Sequence, residues 1–201
     1  MTRISVITPT IGRASLKRML NGLLPQLTEE DEVLVIGDGD QPNARKIVEE
    51  ISSKLVCYWE MPLTRNYGNP QRNEAILRAK GDYICFVDDD DWVLPKYVET
   101  IKRHASENSG RPLMVKMNAF CGVLWRQPQP SYGNMSGQMF IPPNLPSRLG
   151  KWSGKYAADF DFIWGTLNKY PDRERSIVWC EEIIVSQGWA GPGGAGGIEI
   201  K

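Results

Sequence analysis

The chain has 201 residues, 41% hydrophobic and 24% charged, with 24 basic residues against 24 acidic ones. That length predicts one domain, or one domain with an elaborated end. Zero formal net charge gives no global attraction to nucleic acid or an anionic membrane, so nucleic acid is not a favoured partner. No apolar stretch is long enough to span a bilayer and no signal-peptide pattern opens the chain, so a cytoplasmic location is expected.

Residues 4–8 read as a first strand, stopped by Pro9. Leu16, Met19, Leu20, Leu23, Leu24 and Leu27 recur at helical spacing and predict a helix. Residues 33–36 form a continuous apolar run, the pattern of a parallel strand covered on both faces. Ile47, Val48 and Ile51 mark a second helix, and residues 55–59 a third strand. A third helix over 73–80 places Gly81 as its C′ residue. The apolar run 83–87 is the fourth strand. Pro95 suits the first turn of a helix carrying Tyr97, Val98, Ile101 and Ala105, and residues 113–117 make a fifth strand.

Alternation of strand and helix to about residue 117 predicts a doubly wound, mainly parallel α/β sheet of Rossmann-like type. Beyond it the chain turns irregular. Residues 118–156 are rich in Pro, Gly, Asn and aromatics, with short strands near 122–125 and 138–141, a helix near 159–167 and a last strand at 176–179. The expected organisation is therefore residues 1–117, then 118–187 as the other half of one domain, then a flexible Gly-rich tail over 188–201.

The four cysteines (Cys57, Cys85, Cys121, Cys180) include no Cys-x-x-Cys pair, so free thiols are expected. One histidine, His104, leaves almost no material for a His-based metal site or a Ser-His-Asp triad.

The richest feature is Asp88-Asp89-Asp90-Asp91 directly after the fourth strand. Open α/β sheets bind ligands at the carboxyl ends of their strands, and four adjacent carboxylates call for a neutralising cation. An EF-hand loop starting at Asp88 fails, because Trp92 and Val93 fall where a ligand and the glycine are required. Magnesium or manganese, which need only one or two protein carboxylates beside phosphate oxygens, fit the block. A solvated acidic loop before a helix is the competing reading. Two more segments accompany it. Gly68 opens a helix carrying Arg72 near its start, a place suited to phosphate or a carboxylate. Asp38 stands between two glycines after the second strand, where a local turn role and a ligand role are both open.

In order and spacing these segments resemble the family 2 glycosyltransferases of the GT-A fold. The matching motifs are a first strand with Thr8-Pro9-Thr10, then Ile36-Gly37-Asp38-Gly39-Asp40, then Gly68 through Arg72-Asn73 to Gly81-Asp82. The last is the DXD-type metal motif, Phe86-Val87-Asp88-Asp89-Asp90-Asp91-Trp92 with Pro95. The resemblance covers residues 3–117 and implies a nucleotide-sugar donor site followed by an irregular acceptor lobe. It implies that Asp38 reads uracil, that Thr8 and Pro9 line the base pocket, and that Arg72 lies near the nucleotide. Asp88 or Asp89 would contact the ribose, and Asp90 would hold Mn2+ or Mg2+. The family places a general base at the start of a downstream helix. Here that is Asp159, with Asp161 in reserve, although Ala158 stands where the family carries glutamate. An N-cap is the competing role for Asp159.

The implied function is metal-dependent, inverting transfer of a sugar from a UDP-linked donor to a hydroxyl on a carbohydrate, lipid-linked or protein acceptor. Trp125, Tyr132, Trp152, Tyr156 and Trp164 supply either an acceptor surface or the core of the second lobe. A nucleotide-sugar-binding module without chemistry is the alternative. A sugar-phosphate nucleotidyltransferase is less favoured, because residues 8–13 are not a glycine-rich phosphate loop.

Overall fold

The computed structural model describes residues 2–188. Its first sheet is parallel, in the order β3 (Val56–Met61), β2 (Glu32–Asp38), β1 (Ile4–Thr10), β4 (Tyr83–Phe86). β1 and β4 are buried along their whole length; β4 is a continuous apolar run, while β1 also buries Ser5, Thr8 and Thr10.

β1 continues through Pro9, two residues beyond the expected stop. Ile7 faces β4, accepting the Val87 N–H at 3.1 Å. Alternate residues of a strand face the same neighbour, so Pro9 turns its missing N–H toward the same side, past the end of β4. The ladder to β2 therefore continues through Pro9 and Thr10.

Helix α1 (Ser15–Leu23) buries Leu16, Met19, Leu20 and Leu23, then tightens into a 3-10 turn over Leu24–Gln26 that contains Pro25. It is shorter than its apolar stripe predicts, because proline cannot donate the hydrogen bond an α-helix needs there. Helix α2 (Pro42–Ile51) packs against β3, and α3 (Asn69–Arg78) against β1 and β2. α3 starts and ends earlier than expected, and Gly81 is not its C′ residue. The site of a Cβ on Gly81 lies 2.5 Å from the Ser5 nitrogen, so glycine is required by close approach to β1 and not by a left-handed cap.

β5 (Trp92–Val93) follows the aspartates, α4 (Tyr97–Glu107) follows Pro95, and β6 (Leu113–Ala119) opens a second, mixed sheet. Its order is β5, β9 (Val178–Ser186), β6, β7 (Gly122–Leu124), with β8 (Phe140–Ile141) also paired to β6. The last strand is nine residues long and runs well past the 176–179 expected from sequence. Glu181 and Glu182 interrupt its apolar pattern. They sit on the strand because Lys116 pairs with Glu181, and Arg103 and His104 pair with Glu182.

The two sheets meet through the segment after β8. Ile84 donates to the Pro142 carbonyl at 3.0 Å, and Tyr83 bridges Pro143. Helix α5 (Ala158–Leu167) buries Phe162, Ile163 and Leu167, and the four-residue α6 (Arg173–Ser176) precedes β9. Of the Gly-rich tail only Gly188 is described, its carbonyl accepting the Trp92 indole N–H at 3.2 Å; residues 189–201 lie outside the described residues. Among the described residues no helix is long and apolar enough to cross a membrane.

Candidate functional site

Because β1, β2 and β4 are parallel, Thr10, Asp38 and the aspartate block arrive at one edge of the sheet. A cavity of about 820 Å³ opens there. Its walls include Pro9, Asp38, Arg72, all four aspartates and Asp159. Two sequence candidates stay out of the wall. Thr8 is fully buried one residue short of it, its hydroxyl without a partner among the described residues. Asp161 is exposed and accepts the Ser153 hydroxyl at 2.8 Å.

The four aspartates have four different environments. Asp88 pairs with the Arg72 guanidinium through one oxygen and accepts Gln138 Nε2 at 2.8 Å through the other. Asp89 is buried against the loop after β1. It accepts the Thr10 hydroxyl at 2.6 Å, the Ile11 N–H at 3.3 Å and Arg13 Nη1 at 2.6 Å. Asp91 is buried and accepts the Asp88 N–H at 3.0 Å, while its own N–H returns to the Asp88 carbonyl at 3.1 Å, closing the turn. Burial, with the Asp88 charge beside it, holds the Asp91 carboxyl well above the ordinary carboxylate range. Asp90 is the open one. Its side chain is 37% exposed and its sole ion pair among the described residues is Arg13 at 3.4 Å. Partial burial raises its pKa, and the neighbouring Asp88 and Asp89 charges act in the same direction against the opposing pull of Arg13.

This donor set fits a hard divalent cation. Among the described residues no group of three or more His, Cys, Asp or Glu side chains is placed to hold a metal alone. Mg2+ and Mn2+ suit such a site because they take one or two carboxylates and fill the remaining positions with water or phosphate oxygens.

Asp38 is held on both oxygens. Oδ1 accepts the Thr64 N–H at 2.7 Å, its hydroxyl at 2.9 Å and Gln71 Nε2 at 2.8 Å; among the described residues Oδ2 accepts only the Arg65 N–H, at 2.8 Å. Burial disfavours its charge, yet these donors outweigh burial and lower the pKa below the ordinary value. Arg72, on the first turns of α3, sends Nη1 to the Tyr67 carbonyl at 2.7 Å and lies 4.6 Å from the Trp152 ring. Gly68 makes this possible. Its φ is +75°, and a Cβ there would lie 2.6 Å from Pro9 Cβ, so β1 and the start of α3 touch only with glycine between them.

Asp159 sits in the first turn of α5, after Ala157 in the N-cap position, and accepts the N–H of Phe160 at 2.8 Å. It does not cap the helix. Burial raises its pKa and the Asp88 charge adds to that, against the Phe160 N–H and the Arg72 charge. Of the two candidate bases, the fold brings only Asp159 to the cavity.

The aromatics divide by position. Trp125 and Trp152 are buried: Trp125 donates to the Met114 carbonyl at 3.1 Å, and Trp152, which also lines the cavity, stacks on Phe162 at 4.9 Å. Tyr132 and Tyr156 are exposed at the cavity wall, the latter edge-on to Tyr67 at 5.3 Å. Trp164 is half-buried against Phe160. Sequence reasoning missed Arg13, Arg65, Gln71 and Gln138. Arg13 carried a usable signal, a basic residue in the loop after a strand whose end faces acids; Gln138, in an irregular stretch, carried none.

The family model for glycosyl transferase family 2 matches residues 5–154. TarS of Staphylococcus aureus, a poly(ribitol-phosphate) beta-N-acetylglucosaminyltransferase, is 31% identical over 130 residues, covering 61% of this chain and 22% of TarS. The uncharacterized glycosyltransferase YibD of Escherichia coli is 25% identical over 201 residues, covering 90% of this chain and 56% of YibD. The match to glycosyltransferase GlyA of Streptococcus pneumoniae covers 15% of that protein. The chain thus spans a minor part of the length of GlyA and TarS. In structure, residues 1–349 of TarS superpose with a TM-score of 0.75 at 21% identity, covering 92% of this chain and 60% of theirs. The mannosyltransferase PcManGT from Pyrobaculum calidifontis, in complex with GDP-Man and Mn2+, superposes with a TM-score of 0.67 at 16% identity, covering 93% and 57%. The shared architecture is the GT-A fold.

Proposed function

The chain belongs to glycosyl transferase family 2, and we propose that it moves a sugar from a nucleotide-diphospho-sugar, UDP-linked, to an acceptor hydroxyl with inversion. One observation carries the reading: a single cavity gathers Asp38, the aspartate block, Arg72 and Asp159 from four separate segments. In this reading residues 1–117 supply the donor half, and residues 118–187 the acceptor half and the base.

Asp38 lines the cavity with one hydrogen bond on Oδ2 among the described residues, which leaves that oxygen a lone pair for the N–H of a base edge. Pro9 supplies apolar wall beside it. The neighbouring folds bind both UDP-GlcNAc and GDP-Man, so the base is a property of such contacts and not of the fold. Asp88 and Arg72 lock each other, Asp89 anchors the loop after β1, and Asp90 presents its carboxylate to the cavity as the Mn2+ or Mg2+ ligand. When bound, the ion supplies charge neutralisation for the departing diphosphate.

Asp159 accepts the acceptor hydroxyl proton as the oxygen bonds to the anomeric carbon and the bond from that carbon to the diphosphate oxygen breaks. Attack opposite the leaving group inverts the anomeric centre. Partial burial raises the Asp159 pKa and so makes it a better base than a solvated aspartate, while the Arg72 charge pulls the other way and favours its ionised form.

The test pairs Asp90→Ala with Asp159→Asn. Asp90→Ala should lose metal-dependent nucleotide binding. Asp159→Asn should bind donor as wild type does and lose transfer and donor hydrolysis. Full activity in both variants refutes the assignments. A wild-type protein that binds UDP-sugar yet neither hydrolyses nor transfers it is a binding module.

A further inference from the structure

Resting on the donor-site reading, we infer that Arg13 is the protein-borne cation of the diphosphate subsite, working beside the Asp90 metal position. Among the described residues three cations line the cavity, Arg13, Arg65 and Arg72, and they are not equivalent. Arg72 is spent on the fold. Its side chain is 8% exposed, and its two terminal nitrogens are committed to Tyr67, Asn69 and Asp88. Arg65 belongs to the Asp38 end, where its backbone N–H is one of the carboxylate's donors.

Arg13 alone of the three lies at the aspartate end with an open side chain, 47% exposed. One nitrogen, Nη1, holds Asp89 at 2.6 Å and Asp90 at 3.4 Å. Its Nη2 and Nε make no hydrogen bond among the described residues. A guanidinium fixed along one edge with its remaining N–H groups free is pre-oriented for phosphate oxygens, which it can grip at two points.

The loop that carries it is itself fixed. Thr10 and Ile11 bond Asp89, the Gly12 N–H donates to the Thr10 hydroxyl at 3.0 Å, and Asn43 donates to the Gly12 carbonyl at 2.6 Å. Asp89 is thus the anchor that aims Arg13. With Oδ2 engaged by the loop and Oδ1 by Arg13, it has less left for a ribose than Asp88 does.

Two cations near one carboxylate repel each other in the absence of an anion. The diphosphate relieves that repulsion by lying between them, so Arg13 should oppose metal binding alone and favour diphosphate binding. These opposite signs separate the proposal from simple damage to the site, which would weaken both.

The experiment uses the full chain, with Arg13→Gln and Arg13→Lys. UDP binding is measured calorimetrically in Mn2+, uridine binding by ligand-observed NMR, and Mn2+ binding without nucleotide by the free-ion EPR signal. Arg13→Gln should lose about tenfold or more in UDP affinity, the scale of one charge-assisted hydrogen bond. It should keep uridine affinity and bind Mn2+ alone at least as tightly as wild type. Arg13→Lys, which keeps the charge and loses the fork, should fall between for UDP and match wild type for Mn2+. UDP affinity unchanged in Arg13→Gln overturns the inference while leaving the donor site intact. Parallel losses of UDP, uridine and Mn2+ overturn it as structural damage. If the wild type binds no UDP, the donor-site reading fails and this inference falls with it.

Discussion

Replacing Arg72 by methionine tests whether this guanidinium is the joint between α3 and the aspartate turn. The substitution keeps an apolar stem of similar length and deletes the charge. It removes the bond to Asp88, about 1.5–3 kcal/mol for a charge-assisted contact, and the bond to the Tyr67 carbonyl at 2.7 Å, about 1 kcal/mol. The cation over Trp152, 4.6 Å from the ring centroid, adds about 1 kcal/mol. Nε has no hydrogen-bond partner among the described residues, so its loss returns about 1 kcal/mol. Asp88 keeps Gln138 and is 30% exposed, so water can take up its freed oxygen and the cost stays near the low end for breaking an ion pair. The net expectation is destabilisation by about 3 kcal/mol. For a domain of this size that is a fall in Tm of about 6–12 °C. Urea unfolding followed by tryptophan fluorescence, with calorimetry alongside, measures it. Arg72→Lys should recover less than half, because an ammonium cannot reach Tyr67 and Asp88 together. A loss below about 1 kcal/mol in Arg72→Met would refute the reasoning and make Arg72 a ligand-facing residue instead of a structural one.

The remaining predictions concern pH, a buried anchor and a glycine. Asp159 must be ionised to act as base and its pKa is raised, so kcat/KM should fall on the acid side above the ordinary carboxylate value of about 4, and Arg72→Met should move that limb higher. An acid limb that ignores both Asp159→Asn and Arg72→Met would assign the base elsewhere. Asp31 is buried and bonds the Ile4 and Thr28 N–H groups and Lys102 at 2.6–3.0 Å. Burial opposes its ionisation, but these partners prevail and its folded pKa lies below the unfolded one. Its contribution is therefore full above the unfolded pKa of about 4 and lost as pH falls through the folded value. Asp31→Asn should cost about 2–4 kcal/mol at pH 7 and flatten the loss of stability in acid, read from urea midpoints across pH. Gly68→Ala must place a Cβ 2.6 Å from Pro9 at φ +75°, which should lower Tm and weaken UDP binding together; an unchanged Tm would mean the β1–α3 contact is soft.

Much of residues 1–117 was legible because its signals are local. Apolar runs at residues 33–36 and 83–87 are buried by helices, and a parallel strand covered on both faces must be apolar throughout. The carboxyl ends of such strands are where ligand chemistry sits, so the position of the aspartate block directly after an apolar run was enough to assign it to the binding edge. Gly81 shows the limit. A helix-stop signal and a close-packing requirement select the same residue, and only the neighbouring β1 backbone decides between them. Pro9 shows the same, since whether a proline ends a strand depends on whether its neighbour continues. β9 was largely invisible, because charged side chains from α4 and β6 sustain its glutamates across long sequence separations.

By itself the sequence determined the family, the order of the first elements and the identity of the acidic cluster, since these rest on residue type and spacing. Tertiary structure decided how the cluster is divided. Asp88 goes to Arg72 and Gln138, Asp89 to the loop after β1, Asp91 to the turn's own backbone, and Asp90 stays open. It also separated Asp159 from Asp161, two residues apart on α5, by turning one to the cavity and the other to Ser153. Four identical side chains in a row carry no local difference. Asp91 is set apart by the turn it closes, and Asp88, Asp89 and Asp90 by the partners they meet from elsewhere in the chain, which only folding brings within reach.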